Sequence, residues 1–144
     1  MISGRDQAFM AMALEQATTG FDQGGFPVGA VLTQGDHVVS RGHNLYAQDK
    51  DPTAHGEMVC LRGAYGAKFE ETTLYTTLSP CIMCSGTILW LGIRRVVIGD
   101  AVNYTGNEEM LRGKGIAVDI LDDPGCKALF ARFLERSPDH GFPV

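Results

Sequence analysis

Four residues carry chemistry by type and spacing. They are a histidine and a glutamate two apart in "PTAHGEMVCL" (His55, Glu57) and two cysteines three apart in "LSPCIMC" (Cys81, Cys84). A C-x-x-C pair at the start of a helix lets both thiols point the same way, and the positive end of the helix favours their thiolates, which suits zinc. Strand, turn, C-x-x-C and helix is also the order of a thiol redox site, so the cysteines alone leave metal and redox both open. The histidine and glutamate shift that balance. Two residues apart on a helix they face roughly opposite ways, so both can serve one site only if it lies off the helix's N-terminal end.

One imidazole and two thiolates leave the fourth position of a tetrahedral zinc to water, the arrangement of a catalytic metal. Zinc makes hydroxide available near neutral pH, and Glu57 is then the proton carrier, a role that a metal ligand cannot fill. H-x-E followed by P-C-x-x-C is the signature of zinc nucleobase deaminases, and both halves occur here in order, as His55-Gly56-Glu57 and Pro80-Cys81-Ile82-Met83-Cys84. The rival is a structural zinc with His43 or His37 as fourth ligand and Glu57 an ordinary helix residue. Cys60, five residues from His55, turns to another face and is expected in the core, and Cys126 is read as structural.

These residues need elements that converge at one edge of a sheet. Residues 6–19 are expected to form an amphipathic helix, broken by "TGFDQGG". "VGAVLT" and "HVVSRGHN" form a hairpin across "QGD". A helix begins at Thr53 or Ala54, and "TTLYTTL" is a strand. The next helix has Ser79 as N-cap and Pro80 at its first position, with Trp90 in the core, and is followed by a strand at "RRVVIG". "GIAVDIL" supplies a fifth strand and "CKALFARFLER" a last helix. This order predicts an α/β protein, a three-layer α/β/α sandwich around a five-stranded mixed sheet, in one domain over residues 1–144.

The chain has 144 residues, 44% hydrophobic and 20% charged, which fits a soluble globular domain. A net charge of −5, with basic residues scattered, disfavours a nucleic-acid partner. Charges interrupt the apolar pattern of "MISGRDQAFMAMALEQA", so neither a secretory signal nor a membrane span is expected there, and the location read from this is cytoplasmic.

The chain resembles the cytidine-deaminase-like superfamily, and within it the fungal cytosine deaminases. The resemblance runs through "GGFPVGAVL", "SRGHN", "AHGE", "TTLYTTLSPCIMC", "IRRVVIGDAVNY" and "ERSPD". It implies a zinc-dependent homodimer of α/β/α subunits that releases ammonia from a free base, cytosine to uracil, with guanine, isocytosine-like rings or pterins as alternatives. tRNA adenosine deaminases usually carry alanine inside H-x-E and glutamate before P-C, so Gly56 and Ser79 favour the free base. The resemblance also assigns roles. Asn44 bonds the ring, Gly56 offers its N–H to the ring carbonyl, and Ser79 offers its carbonyl to the leaving amine. Val28 lines the pocket, and Tyr104 stands where those enzymes pack a phenylalanine on the base.

The C-terminal segment departs from that pattern. Where fungal cytosine deaminases place a tryptophan and an acidic residue over the site, this chain has His140 and Pro143. Asp139 is expected to take the acidic role from a shifted position, with His140 beside it. A tRNA-editing deaminase and a non-enzymatic zinc or redox module are the competing classes.

Overall fold

The computed structural model describes residues 2–139. Five strands form one sheet in the order β2-β1-β3-β4-β5. They are β1 (Gly29–Gln34), β2 (His37–His43), β3 (Thr72–Leu78), β4 (Arg95–Asp100) and β5 (Ala117–Ile120). β1 runs antiparallel to β2 and β3, whereas β3, β4 and β5 are parallel, so the sheet is mixed as the sequence predicts.

Strand alternation assigns the two faces. Ala30, Leu32, Leu74, Val96, Ile98 and Val118 point to one face. There they meet Cys60 and Leu61 of α3 (Gly56–Arg62), Ile88 of α4 (Ile82–Leu91) and Leu111 of α5 (Glu108–Gly113). Val31, Tyr75 and Val97 point to the other, against Phe9, Met10 and Ala13 of α1 (Gly4–Asp22) and Cys126 of α6 (Pro124–Arg136). The remaining α-helix among the described residues is a single turn, α2 (Tyr46–Asp49), and a 3-10 turn (Phe69–Glu71) leads into β3. α1 lies so close to β1 that a Cβ at Gly29 would overlap the Ala13 carbonyl, which explains glycine at the start of that strand.

Helix starts differ from expectation in a way that matters for the site. α1 begins at Gly4 behind a capping box in which Ser3 and Asp6 bond each other's backbone N–H, and it runs on to Asp22. α3 begins at Gly56 rather than Thr53 or Ala54, because Asp51 holds Thr53 and Ala54 in a turn. α4 begins at Ile82 with Cys81 as N-cap, not at Pro80 with Ser79 as N-cap. The Ser79 N–H bonds the Asp100 carbonyl and prolongs the β3–β4 ladder, while its hydroxyl turns to another loop. Trp90 is 87% exposed instead of buried, because α4 turns Cys84, Ser85 and Ile88 inward and Trp90 follows two residues later on the opposite side. Two short helices, α2 and α5, were not anticipated. Both are polar single or near-single turns without an apolar period.

The edge of the sheet away from the metal donors is fastened by a polar network. Arg95 at the start of β4 donates to both carboxylate oxygens of Asp6 at 2.8 and 2.9 Å and to Asp119 of β5. The Tyr75 hydroxyl donates to Asp6 at 2.6 Å. Arg95, foremost, and Tyr75 hold the Asp6 carboxyl well below the usual carboxylate range against the opposing effect of its burial.

A folded-state pKa below the unfolded one gives stability that is complete above the unfolded value, near 4, and is lost as pH falls through the folded value. Asp6→Asn should cost about 2–3 kcal/mol near neutrality, less than for a fully buried pair because Arg95 is partly exposed. The gap to wild type, measured by urea unfolding, should be constant from pH 7 to about 5 and narrow below about 4. A gap independent of pH down to 3 would remove Asp6 from this role.

Candidate active site

Four chain segments end at the same edge of the sheet. β1 starts there, β2 ends beside it with His43 opposite Gly29, and the parallel strands β3 and β4 end with Leu78 opposite Asp100. Hydrogen bonds lock these ends together. Asn44 N–H donates to the Val28 carbonyl at 2.9 Å, Gly29 N–H to the Thr77 hydroxyl at 3.0 Å, and Leu45 N–H to the Ala54 carbonyl at 2.9 Å. α3 and α4 both start from this edge, so their first residues face each other across it.

The residues at those two starts are His55 and Cys81. Each holds the extended backbone of an N-cap, yet neither side chain bonds its own helix as a serine or aspartate cap would. Both side chains turn to a shared point instead. His55 Nδ1 lies 3.4 Å from Cys81 Sγ and 3.7 Å from Cys84 Sγ, and all three donor atoms fall within 4.8 Å of one another. A tetrahedral zinc with Zn–S near 2.3 Å and Zn–N near 2.05 Å sets its N and S donors about 3.6 Å apart, so this trio fits zinc without rearrangement. Cys81 sits where thiolate is favoured. The Cys84 thiol donates toward Cys81 and, with His55, holds Cys81 down to about 4, and the same contact pushes Cys84 up. His55 is raised chiefly by its hydrogen bond to Cys81.

Glu57 lies one residue into α3, 3% exposed, and burial pushes its carboxyl up to about 7 although its own backbone N–H works the other way. It borders a narrow recess lined also by Val28, Asn44, His55, Leu78, Ser79 and Cys81. Asn44 is fully buried. Its Oδ1 accepts the Tyr46 N–H at 2.9 Å, while its Nδ2 has no hydrogen-bond partner.

The structure thus brings together Val28, Asn44, His55, Glu57, Ser79, Cys81 and Cys84. Gly56 stands between two of them, and a Cβ there would come within 2.7 Å of the Val28 carbonyl. Tyr104 packs on the apolar cluster that contains Val28 and Leu78, and burial raises its phenol. Asp139, expected to read the amine, is exposed in the turn that follows α6 and does not border the recess. α6 stays helical to Arg136, and Pro138 and Asp139 beyond it are exposed. His140 lies outside the described residues. Leu78 was missed, although the last residue of a strand that runs into the P-C motif is a natural lining position.

Residues 3–100 match the family described as the cytidine and deoxycytidylate deaminase zinc-binding region. The chain belongs to that family. This zinc-binding deaminase is 40% identical over 137 residues to a cytosine deaminase from Candida albicans, covering 92% of this chain and 91% of that one. It is 34% identical over 120 residues to a tRNA-specific adenosine deaminase from Aquifex aeolicus, covering 81% and 76%. A guanine deaminase from Nitrosomonas europaea has the same fold, with a TM-score of 0.76 over 92% of this chain and 85% of that one at 23% identity. The deaminase is therefore a hydrolase with zinc as its cofactor, and the donor set described above is built for that ion. No helix among the described residues is long and apolar enough to cross a membrane.

Purified protein is expected to hold one zinc per chain by elemental analysis. Cys81→Ala should lose most of it, since two donors bind far more weakly than three. Full zinc occupancy in that variant, or a Cys81–Cys84 disulfide in active protein, would disprove the site.

Proposed function

We propose that the protein removes the exocyclic amine of a free nucleobase, cytosine to uracil with release of ammonia, as a cytoplasmic homodimer in pyrimidine salvage. The observation that carries this reading is the Asn44 amide. A buried donor without a partner costs about 1–3 kcal/mol, and a ring carbonyl or ring nitrogen placed in the recess would satisfy it. The 40% identity to a cytosine deaminase over nearly the whole chain supports cytosine as that ring.

His55, Cys81 and Cys84 would hold zinc, which when bound would supply Lewis acidity and make a water easier to deprotonate near neutral pH. Glu57 takes the proton of the attacking water and passes it to a ring nitrogen as oxygen adds to the amine-bearing carbon. It then takes the proton of the added hydroxyl and delivers it to the departing amine, so that the C–N bond breaks to ammonia and the carbon keeps the oxygen as a carbonyl. Asn44 Nδ2 donates to the ring and fixes its orientation. Gly56 N–H, one of the unbonded donors at the first turn of α3, is offered to the ring carbonyl. The Ser79 carbonyl accepts from the leaving amine, and Val28, Leu78 and Tyr104 supply the apolar surroundings.

A second reading, editing of an adenosine in tRNA, is favoured by the 34% identity to a tRNA-specific adenosine deaminase. Two observations oppose it. The chain carries −5 net charge, a poor match for a phosphate backbone. The alanine usual in that class would push on the Val28 carbonyl, which also holds Asn44.

Ammonia release measured over cytosine, isocytosine, guanine, a pterin and a tRNA transcript decides among these readings. Cytosine is expected to be the preferred substrate. Glu57→Gln should retain zinc and lose about a hundredfold or more of turnover. Turnover of guanine or tRNA with cytosine inert would replace the cytosine reading, and a near-native Glu57→Gln would remove Glu57 from the mechanism.

The homodimer is supported by α4, where Ile82 and Trp90 are exposed on one line with Gly86, whose missing side chain faces open space. The four cysteines are free thiols, which supports a reducing compartment. Trp90→Lys should shift sedimentation from dimer to monomer at low micromolar concentration with helix content unchanged. A variant that stays dimeric would place the interface elsewhere.

A further inference from the structure

Four carboxylates are buried among the described residues: Asp6, Glu57, Asp100 and Glu108. Three have an evident task. Asp6 receives Arg95 and Tyr75, Asp100 closes the turn after β4 by accepting the Val102 and Asn103 N–H groups, and Glu57 borders the recess. Glu108, 7% exposed at the start of α5, meets no cation among the described residues. Its partner is Ser79, twenty-nine residues away, whose hydroxyl donates to Oε2 at 2.9 Å.

That hydroxyl is bonded on both sides. Ser79 Oγ also accepts the Gly106 N–H at 2.9 Å, and next to it Asn107 Nδ2 donates to the Pro80 carbonyl at 3.3 Å. Residues 106–108 are therefore laced to residues 79–80, immediately before the ligand Cys81. The approach is close enough that a Cβ at Gly106 would overlap the Pro80 carbonyl and stand 3.0 Å from the Tyr104 ring. One hydroxyl thus couples the Ser79 main chain, which borders the recess, to the loop that carries Tyr104. A hydroxyl has one proton to give, and a fixed acceptor for it leaves the oxygen aimed at Gly106.

We infer that Glu108 is a positioning residue of the base pocket: as the acceptor that orients the Ser79 hydroxyl, it fixes the Ser79 peptide and the Tyr104 loop against each other. It does not read the amine itself. Glu108 is absent from the lining of the recess and borders a separate, more open cleft formed by residues 105–110 with Arg112 and Ile120. Its effect on substrate passes through Ser79, and that part of the inference rests on the proposed base-binding reading. The bond itself does not.

The test is a cycle of Ser79→Ala, Glu108→Ala and the double variant, with Glu108→Gln as the conservative replacement, all in the zinc-loaded protein. Two readouts are taken: amide hydrogen exchange at Gly106, which needs no substrate, and KM and kcat on the base that the ammonia screen identifies. Glu108→Ala should speed Gly106 exchange about tenfold or more and raise KM about tenfold, with kcat within about threefold and zinc content unchanged. Glu108→Gln, whose amide oxygen still accepts the hydroxyl proton, should match wild type in both. The double variant should be no worse than Ser79→Ala, because the bond that Glu108→Ala removes is already lost with the Ser79 hydroxyl.

Unchanged Gly106 exchange in Glu108→Ala, equal damage in Glu108→Gln, or additive losses across the cycle would each overturn the assignment. Should Glu108→Ala fail to fold, Ser79→Ala must still speed Gly106 exchange and Glu108→Gln must not, or the assignment fails. If no base on the panel is turned over, the proposed substrate is wrong, and the exchange measurement still decides whether Glu108 holds the loop.

Discussion

One nitrogen and two sulfurs from segments twenty-six residues apart have to stand about 3.6 Å from one another, and no flexible linkage could hold them there before the metal arrives. The sheet sets that spacing. β1 and β3 pair with Ala30 opposite Thr76, which fixes the β1 entry beside the β3 exit. α3 packs on β2 and β1 through Cys60, and α4 leaves β3 after three residues, so both helix starts hang from one rigid ladder. Using the N-cap positions for His55 and Cys81 brings the donors to the helix ends, where the backbone N–H groups and the dipole favour thiolate and carboxylate.

The Val28 carbonyl joins the metal half of the site to the ring-binding half. It accepts the Asn44 N–H, so it sets where the amide donor stands. The same carbonyl lies against Gly56, so it also sets how closely α3 approaches β1. A change at either contact moves both halves together. That coupling gives a physical reason for glycine between His55 and Glu57, independent of any pattern of sequence resemblance.

The sequence made the metal trio, Glu57 and the sheet legible for a shared reason: each is written as a short local pattern with fixed spacing or strict alternation. His55, Cys81 and Cys84 come from two motifs, and strands such as "TTLYTTL" announce themselves by β-branched and aromatic residues. What stayed hidden depends on contacts between distant segments. Ser79 reads as an N-cap from local rules, and only the ladder bond to Asp100 and the side-chain bond to Glu108 show why Cys81 takes that place. Nothing local in "NEEML" marks Glu108 as buried. Trp90 was misjudged because an apolar residue on an apolar helix has no local sign of which face it occupies. Asp139 was assigned by analogy, and among the described residues it is exposed and does not line the recess.

The two ends of the sheet handle buried polar groups in opposite ways. At the end that carries Arg95, the buried polar groups are paired: the guanidinium bonds Asp6 and Asp119, and the Tyr75 hydroxyl donates to Asp6. At the other end, Asn44 Nδ2 has no hydrogen-bond partner and the Glu57 carboxyl is buried, both at a cost in stability. A fold can keep such groups only where the surrounding backbone is over-determined, and here it is: the Ser79, Asn44, Gly29 and Leu45 N–H groups are all bonded across segments at this edge. The saturated network fixes α1 and β5 to β4 at one end, and the bonded backbone holds four strand ends in place at the other. The Asn44 amide then faces the recess from a fixed backbone, and its unfavourable burial becomes a preference for a ring that satisfies it.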